Sequence, residues 1–141
     1  MRYVVMLALL LAGCSNPIPG FIMSPQVFSP QSNQLQQSRF AFNVEDVRGQ
    51  QYSLRFNQDG KVQHISTAND VRAQLEQTLA QALTDQGAML TADSSTRMSI
   101  KINQLQALVD QRTLEHSVTN QVSLTVFIEH AAGTFSKTYS G

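Results

Sequence analysis

The chain has 141 residues, ten of them basic and ten acidic, and only 14% are charged. That balance lacks the basic footprint on which a nucleic-acid binder depends, so no nucleic acid is expected among its partners. Its length supports one domain with a real core, and a single cysteine allows no internal disulfide.

Met1-Arg2-Tyr3 forms a short positive region, Val4 to Leu11 an apolar run, and Leu11-Ala12-Gly13 a small-residue cleavage site. This is the three-part pattern of a secretory signal peptide over residues 1–13. At about 1.5 Å per residue the apolar run makes about 12 Å of helix, against a hydrocarbon core of about 30 Å, so it is too short to span a membrane. An unpaired thiol in an exported chain is a liability unless it is used. Leu11-Ala12-Gly13-Cys14 resembles a bacterial lipobox. That resemblance implies cleavage between Gly13 and Cys14, a diacylglyceryl group on the Cys14 sulfur and palmitate-class acylation of the new amino end. Each buried CH₂ adds about 0.8 kcal/mol of membrane affinity and one chain alone holds marginally, so several chains anchor stably without a spanning helix. Ser15 follows, where an aspartate would signal inner-membrane retention in the enterobacterial pattern. The expected place is the outer membrane, lipid-anchored and facing the periplasm.

Residues 14–38 read as the lipidated end and a Pro/Gln/Ser-rich tether, holding Pro17, Pro19, Pro25 and Pro30 without helical or strand periodicity. A flexible stretch from Ser15 to Ser38 has a root-mean-square reach of about 25–30 Å. Phe21, Ile22, Val27 and Phe28 are more than a spacer needs, so part of this stretch is expected to pack along the domain as an edge strand.

From Arg39 the pattern turns to period two. Phe40, Phe42 and Val44 alternate with polar neighbours up to Glu45–Gly49, a turn or a strand end, and Tyr52, Leu54 and Phe56 alternate again. Asn57-Gln58-Asp59-Gly60 is a hairpin turn, and Val62 to Ile65 the returning strand. Thr67-Ala68-Asn69-Asp70 resembles a capping box, after which Val71, Leu75, Leu79, Ala82 and Leu83 share one helical stripe, and Gly87 ends the helix. In the next strand Met98, Ile100 and Ile102 change phase to Leu105, Ala107 and Val109, which predicts a β-bulge near Asn103-Gln104. Asp110 to His116 forms a hairpin loop. Val118, Val122, Leu124, Val126 and Ile128 alternate on the return, and Ala131-Ala132-Gly133 turns into a last strand with Phe135 and Tyr139 on one side. Residues 39–141 are therefore expected to form one α+β domain, a small, mostly antiparallel sheet with one amphipathic helix packed on one face.

The lipobox, the Pro-rich tether, "VEDVRG" at 44–49, the helix "NDVRAQLEQTLAQALTDQG" and the strand "MSIKINQLQALVDQ" together resemble the YajG family of uncharacterised bacterial lipoproteins. The resemblance runs nearly end to end and rests on scaffold features. It implies further strand and a C-terminal helix beyond the equivalent of Tyr139, so the family's C-terminal helix is expected to be missing and the last strand to be an unfinished edge.

Candidate chemistry is sparse. His64, His116 and His130 have no metal-ligand spacing, so no metal or cofactor is expected. Glu45 and Asp46 adjoin Arg48, which favours a local ion pair over a catalytic dyad, since neighbours on a strand face opposite ways. Asp110, Arg112, Glu115 and His116 gather on one hairpin and form a candidate partner-binding loop. No nucleophile elbow or phosphate loop appears, so no enzymatic activity is expected. Two functions follow. One is a non-catalytic binding or accessory module that meets an envelope protein or cell-wall component through its sheet edge or hairpin loop. The alternative is a cell-wall fragment hydrolase or small-ligand-binding lipoprotein, with a pocket gathering His64, Asp110 or His116.

Overall fold

Alternating segments become seven strands in the computed structural model, which describes residues 20–27, 32–50 and 52–141. The signal segment, Gly13 and Cys14 lie outside the described residues, as does part of the tether. The strands are β1 (Arg39–Asp46), β2 (Tyr52–Gln58), β3 (Lys61–Ser66), β4 (Met89–Leu90), β5 (Arg97–Gln111), β6 (His116–His130) and β7 (Gly133–Ser140). Helix α1 (Val71–Asp85) joins β3 to β4. All seven strands belong to one sheet, curled as a half-barrel.

The long strand β5 is the spine. Its whole length pairs antiparallel with β6, which pairs antiparallel with β7. Two strands share its other edge: β1 lies parallel to Arg97–Ile102, and β2 lies parallel to Ala107–Gln111. The expectation of a mostly antiparallel sheet needs correction, because three of the six strand pairings are parallel. The physical reason is at Glu45–Gly49, which interrupts the chain without reversing it, so β1 and β2 run in the same direction. The crossover through α1 then returns the chain so that β4 and β5 run parallel to β1, the kind of connection a parallel pair requires.

The β2–β3 hairpin turns at Asp59 and Gly60, with φ of 47° and 85°. Two successive positive angles suit the right-handed twist of the flanking strands, and glycine at the second removes the Cβ conflict. The bulge falls in the predicted place, as a register shift against β6 between Ile102 and Gln104. It carries the apolar residues of β5 from even to odd numbers while keeping them on one face.

Asp70, rather than Thr67, caps α1: its side chain accepts a hydrogen bond from the Ala73 N–H at 3.0 Å. Thr67 instead donates to the Asn69 carbonyl. At the other end Gly87 has φ 91°, and a Cβ there would meet the backbone of Gln36 at 3.3 Å. Leu75 packs with Val44, Ile100 and Ile102 to form the core, joined by Leu79, Phe42, Leu105, Leu124 and Val126. The helix thus lies on the sheet face bearing these side chains.

The stretch before β1 is partly docked. Phe21 makes one parallel bridge to Thr67, short of the edge strand expected. The Asn69 side-chain amide then takes both backbone groups of Met23, donating to its carbonyl at 2.8 Å and accepting from its N–H at 3.1 Å. Further on, the Leu35 N–H donates to the Gln86 carbonyl at 2.9 Å.

Helix α1 covers only part of the apolar face. On the same face Val118, Phe135 and Tyr139 remain 65%, 55% and 52% exposed. Truncating Leu75 to Ala should cost about 2–4 kcal/mol, read as a lower denaturation midpoint, because the side chain is 7% exposed in the one buried cluster. Asp70→Ala should cost about 1 kcal/mol.

Candidate functional site

Three regions hold groups that could meet a partner. The first is the predicted loop. The chain turns at Arg112–Glu115, where the Arg112 N–H donates to the Glu115 carbonyl at 2.7 Å. Asp110 and His116 belong to the flanking strands, a correction to the seven-residue loop read from sequence: Asp110 pairs with Ser117 and Gln111 with His116. Asp110, Arg112, Glu115 and His116 do line one open concavity together with Leu114, which is 93% exposed. The Asp110 carboxylate accepts from the Asn57 amide at 2.8 Å. His64 is elsewhere, stacked on Tyr52 with ring centroids 4.0 Å apart and planes 3° from parallel. Of the three side chains offered for a ligand pocket, Asp110 and His116 thus share this concavity and His64 does not; among the described residues no three His, Cys, Asp or Glu groups are placed to hold a metal ion.

The second region is the outer edge of β7. Val122 and Gly141 exchange both backbone hydrogen bonds, at 2.7 and 3.0 Å. In an antiparallel ladder such pairs alternate, so Tyr139, Lys137 and Phe135 turn their backbone groups toward β6. Ser136, Thr138 and Ser140 consequently direct N–H and C=O away from the sheet. This strand has no proline, is exposed throughout and carries Phe135, Lys137 and Tyr139 on the apolar face. An edge of this kind is a template for a further strand.

The third region is the seam where β1 leaves β5 and β2 joins it. The Val47 N–H still donates to the Ile102 carbonyl at 3.2 Å. Beyond it, Arg48 takes over. Its Nε and Nη2 donate to the two Asp46 oxygens at 2.8 and 2.6 Å, and Nη1 donates to Ser53 Oγ at 2.9 Å and to the Leu105 carbonyl at 3.3 Å. The Arg48 side chain is 7% exposed and Ser53 is fully buried. The Arg48 guanidinium, hydrogen-bonded to Asp46, holds that carboxyl below its usual range against the opposing effect of burial. Glu45 turns the other way, 3.9 Å from Lys101 Nζ. The adjacent acids are thus in separate ion pairs and form no dyad. Ser53 gave no signal in the sequence, since nothing in its neighbourhood marks a strand residue as buried. The Leu105 carbonyl gave none either, because it faces the gap between β1 and β2 on the edge of β5 away from β6, which only the strand pairing reveals.

A family model described as "Uncharacterized lipoprotein" matches residues 25–141. The chain is 24% identical over 118 residues to the uncharacterized lipoprotein YajG of Escherichia coli K12, a match covering 83% of this chain and 62% of that protein. The YajG of E. coli O6:H1 strain CFT073 gives the same figures. The chain thus spans about 62% of the length of these curated relatives. Among solved structures, protein XCC0632 from Xanthomonas campestris is similar with a TM-score of 0.56 at 17% identity, over 85% of this chain and 75% of that one. A second uncharacterized protein gives 0.52 at 11% identity, over 80% and 77%. These two share the fold.

Arg48→Ala should cost about 2–4 kcal/mol, because it leaves a buried carbonyl and hydroxyl and a half-buried carboxylate without their donor. A carboxyl with a depressed folded pKa contributes stability that is fully present above the ordinary carboxylate value of about 3.9 and is lost as pH falls through the lower folded value. Asp46→Asn should therefore be less stable than wild type at neutral pH, with the gap closing below about pH 4 in paired chemical-denaturation curves.

Proposed function

Since the chain belongs to this family of uncharacterised lipoproteins, we propose that it is a non-catalytic docking module of the cell envelope. It is held by acylated Cys14 to the periplasmic face of the outer membrane and receives an extended segment of an envelope protein along β7. The lipobox at Leu11–Cys14 and the family's description support the anchor. Among the described residues no helix is long and apolar enough to cross a membrane.

The observation that carries the docking reading is the outer edge of β7, which no other strand pairs among the described residues. Outward N–H and C=O groups at Ser136, Thr138 and Ser140 give main-chain affinity to an added strand. Phe135 and Tyr139, both more than half exposed, offer apolar contact to alternate side chains of that strand. Lys137 Nζ lies 5.0 Å from the Tyr139 ring centroid, so the single charge of the edge is folded onto an aromatic side chain.

Cys14→Ser should move the protein from the membrane to the soluble periplasmic fraction. Mass spectrometry showing an unmodified mature amino terminus in the wild type would overturn the anchor. For the edge, a photocrosslinker placed at Thr138 in living cells should yield a discrete envelope-protein adduct. Ser136→Pro should abolish it with little change in melting temperature, since that proline removes an outward N–H and leaves the β6–β7 ladder whole. An adduct that persists in folded Ser136→Pro would refute strand addition.

A further inference from the structure

The seam between β1 and β2 opens on the polar face of the sheet as a concavity of about 250 Å³, lined by Arg48, Gln50, Tyr52, Asn103, Gln104 and Gln106, with Gly49 and Leu105 completing it. That is just below the range of about 300–1,000 Å³ typical of small-ligand pockets, a size for one ring rather than several. Its walls combine apolar surface from Tyr52 and Leu105 with the uncharged amides of Gln50, Asn103, Gln104 and Gln106. Arg48 is the one charged group, and both of its oxygen partners on Asp46 neutralise it. Four of its five N–H donors are spent on Asp46, Ser53 and Leu105, leaving a single donor.

The amides are differently placed. Among the described residues the side chains of Gln50 and Gln106 make no hydrogen bond. Gln104 donates one N–H to Gln121 at 2.7 Å and keeps its carbonyl, and Asn103 does the same toward Thr125 at 2.7 Å. Each planar amide presents a donor and an acceptor side by side, which matches the neighbouring hydroxyls of a sugar. Tyr52 supplies an aromatic wall, and its stack on His64 fixes the ring. The same face continues outward in neutral groups, Thr125 with Thr138 at 2.9 Å and Ser123 with Ser140 at 3.3 Å. An anionic ligand would find no free positive charge here, and a cation no free carboxylate. A polyhydroxylated neutral ligand exchanges its water hydrogen bonds for fixed ones.

We propose that this concavity binds one neutral pyranose unit of a glycan chain, with Tyr52 against its C–H face and Gln50, Gln104 and Gln106 bonded to its hydroxyl or acetamido groups. The site uses none of the β7 groups and stands or falls separately from docking at that edge.

The test is saturation-transfer NMR on the full-length chain in a zwitterionic, sugar-free detergent, with triacetylchitotriose and maltotriose as probes at millimolar concentration. Transfer to ring protons of either probe is expected. Preference for triacetylchitotriose identifies an N-acetylated, cell-wall type of glycan, and equal binding identifies hydroxyl recognition alone. Gln50→Ala and Gln106→Ala should each weaken binding about five- to tenfold at unchanged melting temperature, the effect of losing one or two ligand hydrogen bonds. Leu114→Ser, at the far hairpin, should leave it unchanged. Absence of transfer to both probes would overturn the proposal, and so would binding that folded Gln50→Ala and Gln106→Ala retain in full. Ser136→Pro should bind the sugar normally, so a failed glycan site and a failed docking edge give different results.

Discussion

One strand edge serving two partners is the constraint on which the architecture turns. β5 gives the first part of one edge to β1 and the last part to β2, and between Ile102 and Ala107 neither strand is alongside. A backbone carbonyl stranded in such a gap costs free energy comparable to a lost hydrogen bond. Arg48 resolves this by reaching from the connection between the two strands to the Leu105 carbonyl and the buried Ser53 hydroxyl, with Asp46 supplying the compensating charge. A guanidinium suits the task because its planar fork serves several acceptors at once, whereas an ammonium would act as a point charge. The bulge at Asn103 belongs to the same solution, since it keeps the apolar residues of β5 on one face through the interruption.

The two faces of the curled sheet follow from that alignment. Ile100 and Ile102 before the bulge and Leu105 after it join the cluster that holds Leu75 and Leu79 of α1, while the opposite face collects Ser, Thr, Asn and Gln in cross-strand hydrogen bonds. The helix is short relative to the apolar face it covers, and this leaves Phe135 and Tyr139 of β7 accessible beside an edge of free backbone groups. The proposed anchor at Cys14 would bear on that edge. Attachment at a surface would restrict how two edges can meet and so reduce the aggregation hazard that such an edge carries in solution.

Periodicity made much of this fold readable. Strong alternation in β5 and β6, the Asp-Gly turn and the Val71, Leu75, Leu79 stripe each depend on neighbours within a few residues, and each appears where those neighbours put it. Direction was harder. The Glu45–Gly49 stretch reads equally as a reversing turn or a strand end, and only its distant partner on β5 decides that the chain continues forward, so parallel pairing was hidden. The helix cap shows a local version of the same limit, since Thr67 and Asp70 are both competent and the one that lies at the first free N–H prevails. The two-residue strand β4 is too short to have a period at all. Of the candidate loop, the sequence supplied the residues and the structure narrowed the turn. The Arg48 seam needed both, because the ion pair is local while Ser53 and Leu105 are reached only across the sheet.

The docking of residues 20–27 alters the geometry of the leash. Phe21 and Met23 are held at Thr67 and Asn69, next to the start of α1, so only six residue steps of chain separate Cys14 from the docked stretch that begins at Gly20. Six residues reach at most about 20 Å when fully extended, well short of the span available to the whole proline-rich stretch. An anchor at Cys14 would therefore keep the domain low over the headgroups and turn the beginning of α1 and the end of β3 toward the bilayer. Orientation, as much as attachment, would then be written into the pair of hydrogen bonds that a single asparagine makes with Met23.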